Sequence, residues 1–253
     1  MKVALIGDIH ANLPALEAVL AHAEAQDAEA IWNVGDFVGY GPFPDEVVQR
    51  LRRDDVLSTS GGYDRKVLRF KKKKAKWRRE KKLEKYLACQ WAYEHLSKKN
   101  RKYLRFLSQD IYLKVQTWRV VVTHASPGSK ESLAPDTPEK QIREMAKKAK
   151  ADIIVCGHSH QPFVRQVQDI WVINPGSVGQ PRDGDPRASY GILQIAPDGV
   201  QVDLYRLEYD IDALVAAMRS HNLPEAFIQM ALQGRDLDTI LGQRTRQDAE
   251  PSH

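Results

Sequence analysis

Asp152-Ile-Ile-Val-Cys-Gly-His-Ser-His160 decides how this chain is read. Its apolar part, Ile153 to Cys156, has the length and β-branched make-up of a buried strand. The run breaks at Gly157, and two histidines one residue apart, His158 and His160, follow at once. Imidazoles placed just past a strand end suggest a metal site.

The same arrangement recurs upstream. Lys2 to Gly7 is a short apolar run of β-formers, and Asp8-Ile-His10 sits at its C-terminal end. Asn12 is placed to cap a helix, with Pro14 in its first turn and Leu13, Leu16, Val19 and Leu20 at helical spacing. Ile31 to Val34 reads as a second strand running into the glycine-rich loop Gly35-Asp36-Phe-Val-Gly-Tyr-Gly41. A helix from Pro44 carries Val47, Val48 and Leu51. A third strand, Asp55 to Thr59, ends in Ser60-Gly-Gly-Tyr63-Asp64. Strand, polar loop, helix is the rhythm of an α/β fold, which gathers its ligand groups at strand ends.

From Arg65 to about Leu107 the composition changes. Lys71 to Lys74 is an unbroken basic run, and Trp77, Leu83, Leu87, Trp91 and Leu96 predict two or three helices. This stretch, 65–107, reads as a helical basic cap inserted into a domain of residues 1–242. Ile111 to Val115 and Trp118 to Thr123 are β-like, and the second leads into His124-Ala-Ser-Pro-Gly128. Thr137-Pro138 starts a helix with Ile142, Met145 and Ala149 on one face. Further strands are predicted at Phe163 to Gln168, Trp171 to Asn174, Tyr190 to Ile195 and Val200 to Tyr205. Asp210 to about Met230 reads as a helix broken near Pro224, and residues 243–253 as a disordered polar tail.

The chain has 253 residues with 42% hydrophobic content, enough for one large α/β domain with a sizeable core. No apolar run approaches the roughly 18 residues of a membrane helix, and Met1 to Gly7 is too short for a signal peptide. The two cysteines, Cys89 and Cys156, imply no disulfide framework, so a reducing cytoplasm is expected. The net charge of +5 is uneven: residues 65–105 hold 18 Lys and Arg against 3 Glu, while the remainder holds 20 basic and 30 acidic residues.

Six side chains thus stand at strand ends: Asp8, His10, Asp36, His124, His158 and His160. Two carboxylates and four imidazoles suit manganese, iron, zinc, cobalt or nickel better than calcium or magnesium. One tetrahedral ion does not need six ligands, so two ions are expected, with a carboxylate such as Asp36 bridging them. Such a pair lowers the pKa of a bridging water and clamps the oxygens of an in-line displacement at phosphorus. Singly, each residue has an ordinary explanation: Gly-Asp makes a turn, and a lone histidine sits satisfied in a core. Their joint placement at strand ends is what folding alone does not explain.

Asp8-x-His10, Gly35-Asp36-x-x-Gly39-Tyr40-Gly41, Gly61-Gly62-Tyr63-Asp64, His124-Ala125 and Gly157-His158-x-His160 together resemble, in order, the signature of calcineurin-like metallophosphoesterases. Asn174-Pro-Gly-Ser177-Val-Gly-Gln-Pro-Arg-Asp resembles the small bacterial and archaeal branch of that superfamily. The resemblance spans about residues 1–205. It implies two packed mixed β-sheets flanked by helices in a four-layer sandwich. It also implies that Asp8, His10 and His160 hold one metal, that His124 and His158 hold the other, and that Asp36 bridges. By the same resemblance two divalent transition-metal ions are expected, manganese first, and a hydroxide bridging them attacks a phosphomonoester or phosphodiester. The chain departs from the family's Gly-Asn-His-Asp block, in which the Asn binds the second metal and the His faces the leaving group. Gly62 has no side-chain donor, which weakens the second site or leaves the place to water. Tyr63 donates protons less readily than an imidazolium. Alternatively, Gly61-Gly62 simply makes a tight turn.

The expected activity is that of a metallophosphoesterase, a phosphodiesterase before a strict monoesterase, with a phosphorylated small molecule or nucleotide as substrate. Tyr63 and Asp64 are the candidate catalytic groups near the leaving side. Arg182 and Arg187 are candidates for holding a phosphate, or else surface ion-pair residues. The basic cap admits three readings: a solvated helix pair, an electrostatic guide for anions, or a nucleic-acid surface spanning 65–105 with Trp77 and Trp91 as stacking groups. Core packing is the competing explanation for the tryptophans. The alternative function is a catalytically weakened protein that binds phosphorylated ligands or nucleic acid through that cap.

Overall fold

A computed structural model of the chain describes residues 1–247. Two five-stranded mixed sheets lie face to face. The first takes β1 (Lys2–Ile6), β2 (Ala30–Asn33), β3 (Leu57–Ser58), β9 (Ala188–Ala196) and β10 (Gly199–Leu207), ordered β10-β9-β1-β2-β3. The second takes β4 (Asp110–Val115), β5 (Trp118–Thr123), β6 (Ile153–Val155), β7 (Pro162–Val167) and β8 (Ile170–Pro175), ordered β4-β5-β6-β8-β7. In the first sheet β1, β2 and β3 run parallel out to the β3 edge, with β9 and β10 antiparallel on the other side; in the second β5, β6 and β8 run parallel between the antiparallel edge strands β4 and β7.

Alternation along the strands explains why the sheets stack. Val3 and Leu5 face Val120, Val122, Ile153 and Val155 in the core between the sheets. The intervening Ala4 and Ile6 point the other way, onto Leu16 and Val19 of helix α1 (Leu13–Ala25) and Leu51 of α2 (Pro44–Arg53). On the far side Val121 and Ile154 pack on Ile142 and Ala146 of a later helix, Glu139–Ala149. Both faces of the central strands are therefore covered, as parallel strands require, and the layers run helix, sheet, sheet, helix.

Three helices fill the stretch between β3 and β4: α3 (Gly62–Glu80), α4 (Leu83–His95) and α5 (Lys98–Phe106). The helix Glu139–Ala149 is then α6. Beyond β10 come α7 (Ile211–Ser220), α8 (Glu225–Gln233) and α9 (Leu237–Gln247). No helix among the described residues is long and apolar enough to cross a membrane.

Three boundaries differ from the sequence reading. The third strand keeps only Leu57–Ser58, because Asp55 takes a left-handed φ of 51° and the edge strand pairs with β2 alone. The helical stretch starts at Gly62 rather than Arg65, since the Asp64 carboxylate accepts the Gly61 N–H at 2.8 Å and caps the helix from inside its first turn. The chain from 243 is helical as far as Gln247: Asp236 Oδ1 accepts from the N–H groups of Asp238 and Thr239, and Leu237 and Ile240 are buried beside α8. The rest of the expected tail, 248–253, lies outside the described residues.

Candidate metal centre

The C-terminal ends of β1, β2, β5 and β6 converge on one point between the sheets. The loops that follow are tied together by backbone bonds: Asp8 N–H to the Gly35 carbonyl at 2.9 Å, His10 N–H to that of Asp36 at 3.0 Å, and Gly157 N–H to that of His124 at 2.9 Å. Such crossings need tight corners. Asp8, His10, Asp36, His158 and His160 all adopt positive φ, between 49° and 68°. Backbone strain of this kind persists where a site over-determines it. Gly157 must be glycine, because a Cβ there would lie 2.7 Å from Asp8 Oδ2.

Two clusters result. Asp8, His10 and His160 form one, and Asp36, His124 and His158 the other, each with its ligand atoms within 4.8 Å of one another. All six residues predicted from the sequence are thus brought together. Asp36 stands between the clusters, its Oδ2 3.4 Å from His124 Nε2 and 3.8 Å from His10 Nε2.

The orientation of the rings fits cations. His10 Nδ1 faces the Val38 carbonyl, His124 Nδ1 that of Val34, and His160 Nδ1 that of Gln180. A ring nitrogen beside a carbonyl carries the proton, so each Nε2 lone pair turns inward. Yet His10 Nε2 and His160 Nε2 lie only 3.3 Å apart, and the buried Asp8 Oδ1, 3.3 Å from His160 Nε2, has no hydrogen-bond partner. In the second cluster His158 Nδ1 lies 3.2 Å from His124 Nε2. The facing nitrogens of His10 and His160 and an orphaned carboxylate oxygen in a water-poor site are what a divalent cation satisfies.

Electrostatics follow the same lines. Burial, the largest single influence, works to raise both carboxyls, but the histidines together outweigh it: the charge and hydrogen bond of His160 with the charge of His124 on Asp8, and the charge and hydrogen bond of His124 with the charge of His10 and the Tyr63 N–H on Asp36, hold both well below the carboxylate range. Burial presses His10 down to about 3. It acts against His124 as well, but the Asp36 carboxylate overcomes it and lifts that imidazole to about 9. Burial and then the charge of His124 lower His158.

The remaining predicted residues fall out differently. Asp64 is wholly buried, and its carboxylate accepts from the N–H groups of Asp36, Val38 and Gly61 at 3.0, 3.3 and 2.8 Å. It holds the loop by its backbone, a supporting role beside the one expected near the leaving side. Tyr63 does border the centre: its N–H donates to Asp36 Oδ1 at 2.6 Å and its ring packs edge-on against His10. The Tyr63 hydroxyl is engaged by that of Tyr40, and burial first, with Tyr40 adding to it, raises it well above 10. Arg182 is half-buried on the His10 side, its charge felt by that ring, and its Nε has no hydrogen-bond partner. Arg187 is exposed and locked on Asp185 at 2.7 Å, which is the ion-pair reading and not the phosphate one. Gly62 leaves room for a side chain, since a Cβ there would sit in ordinary contact, 3.8 Å from His124 Nε2 and 4.0 Å from Asp36 Oδ1.

Sequence reasoning missed the supports. Ser177 Oγ donates to the Asp8 carbonyl at 2.7 Å, and Asn174 Nδ2 to the Gly157 carbonyl at 2.9 Å. Both lie in the Asn-Pro-Gly-Ser turn, which the sequence marked as a turn and as part of the family resemblance but not as a support of the site. It also missed a cavity of about 460 Å³ against His124, lined by Arg65, Gln109, Asp110, Ser129 and Lys130.

A two-sheet sandwich with carboxylates and imidazoles at its strand ends defines a metal-dependent hydrolase of phosphate esters. Residues 1–198 match the calcineurin-like phosphoesterase superfamily domain, and the chain belongs to that family. It is 32% identical to the uncharacterized protein MJ0912 of Methanocaldococcus jannaschii, over 92% of this chain and 98% of that one. It is 28% identical to phosphodiesterase YfcE of Escherichia coli K12, over 76% and 87%. A crystal structure of a metallophosphoesterase from Sphaerobacter thermophilus superposes with a TM-score of 0.74 at 31% identity, covering 92% of this chain and 99% of that one.

Proposed function

We propose that the chain hydrolyses phosphodiesters at a centre of two transition-metal ions, manganese first among them. Asp8, His10 and His160 would hold one ion, His124 and His158 the other, with Asp36 shared. The observation that carries the dinuclear reading is the Asp36 carboxylate, whose Oδ2 lies within 4 Å of an inward-turned imidazole of each cluster. Two divalent ions in such a site supply a hydroxide nucleophile at neutral pH and neutralise charge developing on the phosphoryl oxygens. The protein's own groups do the rest. The carbonyls of Val38, Val34 and Gln180 fix the imidazoles, and Tyr63 N–H fixes the carboxylate between them. The cavity beside His124, whose wall carries Arg65 and Lys130 together with Asp110 and Glu131, gives an ester room to approach the centre.

The preference for diesters rests on Tyr63. Where the family places an imidazole near the leaving group, this chain has a phenol already engaged by Tyr40. Esters whose leaving group needs little protonation suffer least from that exchange. Both cysteines are unpaired and buried, which supports a reducing, cytoplasmic setting.

The test is hydrolysis of bis-p-nitrophenyl phosphate with added manganese, beside a His158→Ala control. Turnover is expected in the parent and a loss on the order of a hundredfold or more in the control, because several kcal/mol of charge stabilisation go with the ion. No turnover with any divalent metal would favour a protein that only binds phosphorylated ligands.

A further inference from the structure

The distal half of α3 is built unlike any other helix in the molecule. Up to Phe70 it has a core face, through Asp64, Val67 and Phe70. From residue 71 to residue 80 every side chain is exposed except Trp77, which is half-buried. Over that length the sequence reads Lys-Lys-Lys-Lys-Ala-Lys-Trp-Arg-Arg-Glu. Arg69, Lys71, Lys72, Lys73, Lys74, Arg78 and Arg79 have no acidic partner among the described residues. The offsetting contact within the stretch is Lys76 to Glu80 at 3.7 Å. Like charges four apart, Arg69 with Lys73 and Lys74 with Arg78, repel along the helix. Among the described residues no acidic group beyond Glu80 offsets that repulsion, which points to a partner outside them.

We infer that this projecting arm binds single-stranded nucleic acid, with its cations on backbone phosphates and Trp77 as a stacking platform. The cations surround the helix instead of forming one stripe, which suits a flexible polyanion that can wrap it. Trp77 belongs to none of the core clusters, and its ring is met by the Lys81 ammonium at 5.0 Å. An aromatic set among unpaired cations is the composition of a strand-binding surface. A membrane surface fits less well, because a helix lying in lipid needs an apolar face, and this stretch has none. Trp91, the other tryptophan of the inserted helices, is instead stacked on His95 and does not share the role.

The arm also has a direction. α3 begins at the metal centre, where Tyr63 N–H meets Asp36, and Lys71 lies nine residues on, about 14 Å along the axis at the helical rise. A strand held by the arm would lead toward Arg65 and the cavity beside His124. Binding does not rest on the hydrolytic reading and is measured apart from it.

The experiment is fluorescence anisotropy of the full chain, metal-loaded, with a labelled oligothymidylate carrying hydrolysis-resistant phosphorothioate linkages, titrated at several salt concentrations. Replacing Lys71, Lys72, Lys73 and Lys74 together by Gln is expected to weaken binding at least tenfold at low salt. It should also reduce the slope of log affinity against log salt by about 3, the counterions of four single-strand phosphates. Trp77→Ala is expected to weaken binding about fivefold or more with the slope unchanged. Far-UV circular dichroism and the melting temperature of both variants should match the parent, which shows that they fold whether or not the parent hydrolyses esters. Flat salt dependence, unchanged affinity in the lysine variant, tighter binding to duplex of the same length, or capture by phosphatidylserine vesicles without oligonucleotide binding would each overturn the inference.

Discussion

Asp64 holds Asp36 by its backbone: the Asp64 Oδ2 accepts the Asp36 N–H at 3.0 Å, while its Oδ1 takes that of Val38 two residues on. The carboxylate that stands between the two clusters is therefore aimed by a second one buried behind it. Burial, then the charge of Asp36, raises the Asp64 carboxyl to about 7. Asp64→Ala would strand the N–H groups of Asp36, Val38 and Gly61, and each unsatisfied buried donor costs about 1–3 kcal/mol. A loss of roughly 3 kcal/mol or more in denaturant stability is expected, together with weaker metal retention. Asp64→Asn, which keeps one acceptor oxygen, should lose less. Full stability with a selective loss of turnover in Asp64→Ala would instead restore a chemical role to this residue.

Gly62 leaves a gap where a ligand fits. The backbone there is helical, so a side chain meets no strain, and the Cβ position looks onto His124 Nε2 and Asp36 Oδ1. Gly62→Asn is expected to raise affinity at the Asp36–His124–His158 cluster on the order of tenfold, the scale on which even outer partners of a metal ligand act. Removing a helical Gly should also add about 0.5 kcal/mol of stability. The check is metal stoichiometry by elemental analysis at limiting manganese. Equal occupancy in both proteins would leave Gly61-Gly62 as a turn and nothing more.

What the sequence could convey about this site follows from period and from strand ends. β1, β2, β5 and β6 are short, apolar and bounded by polar loops, so their ends were legible, and with them Asp8, His10, Asp36, His124, His158 and His160. The role of Asp64 was not, because an aspartate that faces a ligand and one that caps a helix from within look alike in one dimension. Arg182 and Arg187 were equivalent in sequence for the same reason. Only the fold turns Arg187 onto Asp185, two residues away, and leaves Arg182 on Gln180 with its charge felt at His10. α9 went unseen because its apolar contacts, Leu237 and Ile240, are too few to mark a period without the α8 surface they meet.

Tyr63→His would place an imidazole where a phenol now leans on His10 and Tyr40. Imidazolium donates a proton near neutral pH far more readily than a buried tyrosine hydroxyl. The variant should therefore gain most on esters with poor leaving groups. The ratio of phenyl to p-nitrophenyl ester turnover is expected to rise at least tenfold, the lower part of what a placed general acid contributes being about a hundredfold. A ratio that stays put while both rates move together would assign Tyr63 to packing.

His124 couples metal binding to pH. Its pKa is lifted from 6.5 to about 9, because the Asp36 carboxylate outweighs the burial that acts against a charged ring. At pH 7 the metal-free protein thus carries a proton on His124, and a cation needs that Nε2 bare. Each ion entering the Asp36–His124–His158 cluster must displace the proton, so affinity should climb about tenfold per pH unit toward 9 and level off above it. His10, pressed down to about 3, is already neutral and adds no such dependence. The same proton stabilises the metal-free fold. A group whose folded pKa is raised contributes fully below its unfolded value and loses that contribution as pH rises through the folded one. Between pH 6.5 and 9 the metal-free melting temperature should accordingly fall while metal affinity rises, two trends of opposite sign from one side chain. Calorimetric titration at pH 7 in buffers of different ionisation enthalpy should register about one proton released per ion at this cluster. The absence of proton release, or a melting curve flat across that window, would detach His124 from the titration.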